Sequence, residues 1–224
     1  MREALMSPTF RRLPLVLPLG DAALLIRFAS QLSDDANRAA IAFAARLESD
    51  PPQGVLEIAP NLVSVLLRYD PEQISFAGLT GELQLRLGDE MSPRSGAEHL
   101  VPVRYGGDHG PDFDEVAEAL GLSREELIEK HSAEPLRVLA TGFAPGFVYC
   151  GFHSEALALP RRRSVRARVE TGSVLFAAGQ SAICATSIPT GWHVIGRTEF
   201  RNFDSAQRPP TVLSPGDKVR FVPC

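Results

Sequence analysis

The chain has 224 residues, 44% of them apolar, and carries 23 Lys and Arg against 27 Asp and Glu for a formal net charge of -4. That length holds one large domain or two ordinary ones, each with a core of useful size. The acidic balance argues against general nucleic-acid binding, which draws on a basic face, and no apolar run is long enough to span a bilayer.

At the start, Arg2, Arg11 and Arg12 precede the run Leu-Pro-Leu-Val-Leu-Pro-Leu at 13–19. This faintly resembles a secretory leader, but two prolines interrupt the run and no small-residue cleavage site follows, so it reads as a short tail entering a strand. Residues 21–28 form an apolar strand pattern. Ser33 is placed to cap a helix running to Leu47, with Ala36, Ala40, Phe43 and Leu47 on one face. Pro51, Pro52 and Gly54 end it. Strands are expected at 55–58 and 63–67, divided at Asn61 and closed by Asp70-Pro71. Phe76, Leu79, Leu83 and Leu87 then share the face of a second helix. Strand, helix, two strands and helix make an α+β domain over residues 1–92, of ferredoxin-like type.

Residues 88–98 are polar and lack a periodic apolar set, which marks a linker. A second domain is expected over 98–224. It opens with a strand at 100–105 and a glycine-rich turn at 106–110. Asp112 with Glu115, and Ser123 with Glu126, form two possible capping boxes for short helices separated by Gly121. From 136 onward the pattern is strands and turns: 137–141, 173–177, 182–185, 193–197 and 218–222, with a Pro-Gly-Asp turn at 215–217. The chain has 18 glycines and 18 prolines, and many short strands with turns between them indicate a closed barrel or sandwich. Cys150, Cys184 and Cys224 are odd in number and far apart, so they suit neither a disulfide framework nor a zinc site, and a reducing cytoplasm is the expected setting.

The segment with the most chemical content is Gly142-Phe143-Ala144-Pro145-Gly146, followed by Phe147 and Tyr149. Glycine permits positive φ and close approach of a ligand to the main chain, and proline restricts φ. Exposed N–H groups beside flat rings suit small planar or anionic ligands; the same residues also suit a tight turn between core strands. Arg161, Arg162, Arg163, Arg166 and Arg168 offer guanidinium forks for carboxylates or phosphates, or a charged strand edge. If 160–169 is extended, Arg161 and Arg163 face one way and Arg162, Arg166 and Arg168 the other, so the five do not share one site. Gln180 carries a donor and an acceptor, which suits an amide or lactam, or the bonding of a turn. Trp192, the single tryptophan, floors a pocket or fills the core. Arg197, Thr198, Phe203 and Asp204 put a cation and a carboxylate close together, as ligand-binding groups or as a structural Arg–Asp pair. The five histidines show no metal spacing, His131 ends a helix, and there is no Walker A loop and no Gly-x-Ser-x-Gly elbow.

Taken in order, Val-Pro-Val-Arg-Tyr-Gly-Gly (101–107), Gly-Pro-Asp-Phe (110–113), His131, Gly-Phe-Ala-Pro-Gly-Phe (142–147), Pro-Arg (160–161), Gly-Ser-Val (172–174), Gly-Gln (179–180), Gly-Trp-His-Val-Ile-Gly-Arg-Thr (191–198), Phe-Asp (203–204) and Pro-Gly-Asp-Lys-Val-Arg-Phe (215–221) resemble the family of 5-oxoprolinase B subunits, also called allophanate hydrolase subunit 1. That family also holds the inhibitor of a sporulation histidine kinase. Asp21 and Tyr69-Asp70-Pro71 extend the resemblance into the first half. The resemblance implies a cyclophilin-like β-barrel after the α+β domain. It also implies work with the A and C subunits of the same enzyme, an ATP-dependent 5-oxoprolinase that opens 5-oxoproline to glutamate. The family's other members imply the alternatives, a urea- or allophanate-handling carboxyltransferase or hydrolase component, and a non-catalytic histidine kinase inhibitor. On the 5-oxoproline reading, Arg197, Gln180 and Arg166 are the catalytic candidates. Gly142, Phe143, Pro145, Gly146, Phe147, Arg161 and Trp192 are the substrate-binding candidates; ATP is the cofactor of the complex, and no metal is expected. The chain departs from the family pattern at Val165-Arg166, where a second Pro-Arg is usual. Ile183-Cys184-Ala185 stands in place of Ile-Tyr-Pro, and Thr190 in place of a glycine before Gly191-Trp192.

Overall fold

The computed structural model describes residues 14–88 and 96–224. Arg2, Arg11 and Arg12 of the leader-like tail, and most of the expected linker, lie outside the described residues. The chain divides into two compact units, Met1–Pro93 and Arg94–Cys224.

In the first unit, strands β1 (Leu15–Pro18) and β2 (Ala23–Arg27) form a hairpin, followed by helix α1 (Asp34–Ser49), strands β3 (Val55–Pro60) and β4 (Ser64–Tyr69) and helix α2 (Phe76–Leu87). Ser33 caps α1 as its sequence predicts, its side chain accepting from the Ala36 N–H at 3.3 Å, and Ser75 does the same for α2 through Gly78. The sheet is antiparallel in the order β1-β2-β4-β3. Pro60 is tolerated because β3 is an edge strand, where a missing N–H costs no ladder bond. The helices bury Phe43, Leu47, Leu79 and Leu83 against Leu24, Ile26, Val65 and Leu67 of the sheet. The expected ferredoxin-like unit would place a fourth strand after the second helix. Here the fourth strand of the sheet is β1, which comes first, because the Leu-Val-Leu-Pro run pairs with β2 across a short turn.

The second unit is a closed seven-stranded barrel. Its strands are β5 (Glu98–Tyr105), β6 (Leu136–Thr141), β7 (Val148–Gly151), β9 (Ser173–Ala177), β10 (Gln180–Ile183), β12 (His193–Arg197) and β13 (Lys218–Pro223), closed in the order β10-β7-β6-β13-β5-β12-β9. Only β13 and β5 run parallel. Helices α3 (Phe113–Leu120) and α4 (Arg124–Ser132) lie between β5 and β6, and a separate ribbon pairs β8 (Arg166–Val169) with β11 (Ile188–Thr190). All seven barrel strands send side chains into one buried cluster, among them Val101, Val138, Cys150, Phe176, Ile183, Ile195 and Phe221, so that cluster is the barrel interior; α3 and α4 add Phe113, Val116 and Leu127. Alternate residues of β7, β9, β10 and β12 face the other way. Tyr149, Leu175, Ala177, Ala182 and Val194 form a second cluster outside the barrel with Phe147, Val169, Ile188 and Trp192.

Two local expectations change. The strand expected at 182–185 starts two residues earlier, because Ala178 and Gly179, at φ 52° and 69°, make a two-residue turn that pairs Ala177 with Gln180. Asp112 does not close a capping box on α3. Its side chain makes no cap hydrogen bond and is drawn elsewhere, as described below. The Ser123–Glu126 box on α4 is complete in both directions, at 3.1 and 2.7 Å.

Candidate functional site

The Gly142–Phe147 loop joins β6 to β7 and projects from the barrel. Gly142 and Gly146 sit at φ 120° and 69°, and Phe143, unusually for a residue with a Cβ, at φ 70°. This backbone path leaves the Phe143 ring 70% exposed while Phe147 is 3% exposed. The loop is pinned from behind: Gly142 N–H donates to Phe147 O at 3.1 Å, and the buried Asn202 amide donates to Gly146 O at 2.8 Å. Gly146 is needed for fit as well as for φ, since a Cβ there would lie 2.5 Å from Phe203 Cβ and 2.7 Å from Ala185 Cβ.

From Phe143 the rings run in a continuous row: Phe143–Phe147 at 5.5 Å, Phe147–Tyr149 at 4.8 Å and Tyr149–Trp192 at 6.0 Å between centroids, all edge-on. The Arg161 guanidinium closes the row, 5.6 Å over the Trp192 ring. Burial pushes the Tyr149 hydroxyl above its ordinary value, with the Arg161 charge opposing. Gln180 is 8% exposed and lies, by strand alternation, on the same outer face as Ala182 and Tyr149. The structure therefore places Gly142, Phe143, Pro145, Gly146, Phe147, Trp192, Arg161 and Gln180 along one side of the barrel.

Arg197 lies at the end of β12 and lines a neighbouring cleft of about 590 Å³ with Gly172, Ala185, Thr198, Arg201 and Phe203. Through Phe203 and Ala185 this cleft abuts Gly146. The alternative of an Arg197–Asp204 ion pair is not what forms: Asp204 accepts from the Ala206 N–H, and the Arg197 guanidinium has no hydrogen-bond or ion-pair partner among the described residues.

Arg166 is committed elsewhere. Both Arg162 and Arg166 reach Asp112 at 2.5 Å, Asp112 is 2% exposed, and its second oxygen accepts from the Val194 N–H at 2.8 Å. Burial raises the Asp112 carboxyl, but the Arg166 and Val194 hydrogen bonds and the two guanidiniums outweigh it and hold the group below its ordinary value. This carboxylate fastens the 162–166 segment to α3 and β12, so Arg166 is a structural cation. The arginine run separates into four places: Arg161 on Trp192, Arg162 and Arg166 on Asp112, Arg168 on Glu170 at 3.2 Å, and Arg163 exposed at the surface.

Sequence reasoning missed a polar chain inside the barrel. Tyr105 Oη lies 2.8 Å from His131 Nδ1, His131 Nε2 lies 2.7 Å from Ser181 Oγ, and His153 Nε2 lies 2.8 Å from the same oxygen. Burial pushes His131 far below its ordinary value, helped by His153, and pushes His153 down to about 4. Both rings are neutral near pH 7, and the chain of contacts gives each linked group a partner. The available signal was the position of His131, four residues after Leu127 on the buried stripe of α4. Among the described residues no group of three or more His, Cys, Asp or Glu is placed to hold a metal, and no helix is long and apolar enough to cross a membrane. Cys150, Cys184 and Cys224 are free thiols.

An α+β unit followed by a closed, externally decorated barrel defines a recognisable class of protein, shared with the Kluyveromyces lactis urea amidolyase. There 93% of this chain overlays 15% of that one at a TM-score of 0.75 and 16% identity, a likeness of fold. The chain belongs to the carboxyltransferase domain, subdomain C and D, family, whose pattern matches residues 14–213. It is 37% identical over 216 residues to the B subunit of 5-oxoprolinase from Bacillus subtilis, covering 91% of this chain and 90% of that one. It is also 35% identical to the solved structure of TTHA0988, with a TM-score of 0.79; the match covers 90% of this chain but only 40% of that longer one.

Proposed function

We propose that this chain is the B subunit of a cytoplasmic, ATP-dependent 5-oxoprolinase, opening 5-oxoproline to glutamate together with the A and C subunits. What supports the reading above all is the likeness to the Bacillus subtilis protein, which runs along nearly the whole of both chains. The chemistry of the exposed face agrees with it. A lactam is resonance-stabilised and opens only when its carbonyl oxygen is activated, as by phosphorylation, and the charge that develops must be held by donors or cations. Arg197, with no counter-ion among the described residues, is the group of this chain best placed for that. Arg161, held over Trp192, suits the carboxylate of 5-oxoproline, Gln180 suits the amide, and Phe143 offers an open ring face to the substrate or to the C subunit.

The test is reconstitution. The chain is combined with its A and C partners, 5-oxoproline and ATP, and glutamate is measured with each component left out in turn. Glutamate release that requires this chain supports the reading; its absence from the full mixture rejects it. Parallel mixtures with urea and allophanate, in which nitrogen release is followed, discriminate the urea- and allophanate-handling alternative.

A further inference from the structure

The cleft beside Arg197 has features that the loop and its aromatic row do not explain. It is bordered by two exposed guanidiniums, Arg197 and Arg201, neither with a hydrogen-bond or ion-pair partner among the described residues. The segment that carries them is held rigidly. Thr198 N–H donates to Gly172 O at 2.8 Å, and a Cβ on Gly172 would lie 2.3 Å from Thr198 O, so the two backbones meet with no space for a side chain. Thr198 Oγ1 accepts from the Phe200 N–H at 3.1 Å and turns the chain. Asn202, fully buried, accepts from the Leu213 N–H at 2.8 Å and donates to Gly146 O at 2.8 Å, which locks the far end. So fixed a backbone sets where the two arginines leave the main chain, while their unpaired guanidiniums stay free to close on a ligand.

The charge in the cleft selects the ligand. Its one lining carboxylate, Glu199, is 88% exposed and is engaged by Arg104 at 3.4 Å. Two cations without a counter-ion match a dianion better than a single carboxylate, and the planar guanidinium is the side chain best fitted to phosphate oxygens. Phe200, Phe203 and Ala185 supply apolar wall for an organic remainder, and about 590 Å³ is a volume suited to a small molecule.

We infer that Arg197 and Arg201 form a binding site for the phosphoryl group of a small phosphorylated molecule, a phosphomonoester or an acyl phosphate. On the 5-oxoprolinase reading, which this identity of the occupant rests on and the site itself does not, the occupant is the phosphorylated lactam. The site itself is tested on the isolated chain. Methyl phosphate has its second ionisation near ~6 and is mostly dianionic at about pH 7.5; it is titrated against the chain by calorimetry and by NMR of the Arg197 and Arg201 side chains. Saturable binding is expected, weakened about tenfold or more in Arg197→Gln and in Arg201→Gln, and unchanged in Arg163→Gln, an exposed arginine outside the cleft. Thermal melts of each variant establish that the fold is kept. Three results overturn the inference: no saturable binding, equal loss in Arg163→Gln, or full binding kept in both Arg197→Gln and Arg201→Gln. Glutamate formation in the reconstituted mixture without phosphoryl binding here removes the site and leaves the enzyme reading standing; the converse removes that reading and leaves the site.

Discussion

Arginines that look alike in the sequence have different work in the structure. Arg166 and Arg162 neutralise a carboxylate that is 2% exposed, so Asp112→Ala strands two partly buried cations without their counter-ion. It is expected to cost about 3–5 kcal/mol, measured as a fall in the denaturant midpoint. Arg197, exposed and unpaired, is expected to show the opposite pattern: Arg197→Ala leaves the melting temperature within about a degree or two, since surface changes of this kind stay within about 0.5 kcal/mol, and removes activity from the reconstituted enzyme. A large loss of stability in Arg197→Ala would assign it a structural role. The buried histidines make a prediction in pH. Burial depresses both, so the unfolded chain takes up protons near ~6.5 while folded His153 resists until about 4. The stability they contribute is complete above the unfolded value and is lost as pH falls from ~6.5 through about 4, a loss of about 3 kcal/mol for His153. His153→Gln is expected to flatten the dependence of the unfolding midpoint on pH across that window, and an unchanged slope contradicts the account.

At the scale of elements, much of the molecule is legible in the sequence, and the exceptions have physical causes. Helix α1 follows from its capping serine and 3.6-residue periodicity, α2 from periodicity and α4 from its capping box, since those signals are local. The capping box at Asp112 fails because a distant pair of arginines offers that carboxylate stronger bonds than an N–H of its own helix does. Strand β10 is displaced because the turn at Ala178-Gly179 uses positive φ at a residue other than glycine, which composition does not announce. The ring row from Phe143 to Trp192 unites residues almost fifty positions apart; the loop itself is visible in the sequence, but its neighbours are set by barrel closure. Gly146 is the element's fixed point. Gly146→Ala forces a Cβ into Phe203 and Ala185 at φ 69° and is expected to cost about 1–3 kcal/mol, with Phe203 displaced in a crystal structure and the Arg197 cleft deformed. Wild-type stability and an unmoved Phe203 would contradict that.

For the molecule as a whole, barrel closure converts scattered motifs into one face. Strands β7, β9, β10 and β12 send one set of side chains into the common core and the alternate set outward, where they pack with residues of the β8–β11 ribbon and the Gly142–Phe147 loop. The sequence carries many of the strands and their glycine turns, but not their order, because register and closure depend on pairings between distant segments. That order sets the loop, Trp192, Gln180 and the Arg197 cleft on neighbouring ground while drawing Arg166 away. The most direct test of the central claim is glutamate release from 5-oxoproline and ATP by the reconstituted enzyme, with wild-type chain, with Arg197→Ala chain and with no chain. Release with the wild type alone is the predicted result; equal release in all three mixtures, or none in any, contradicts it.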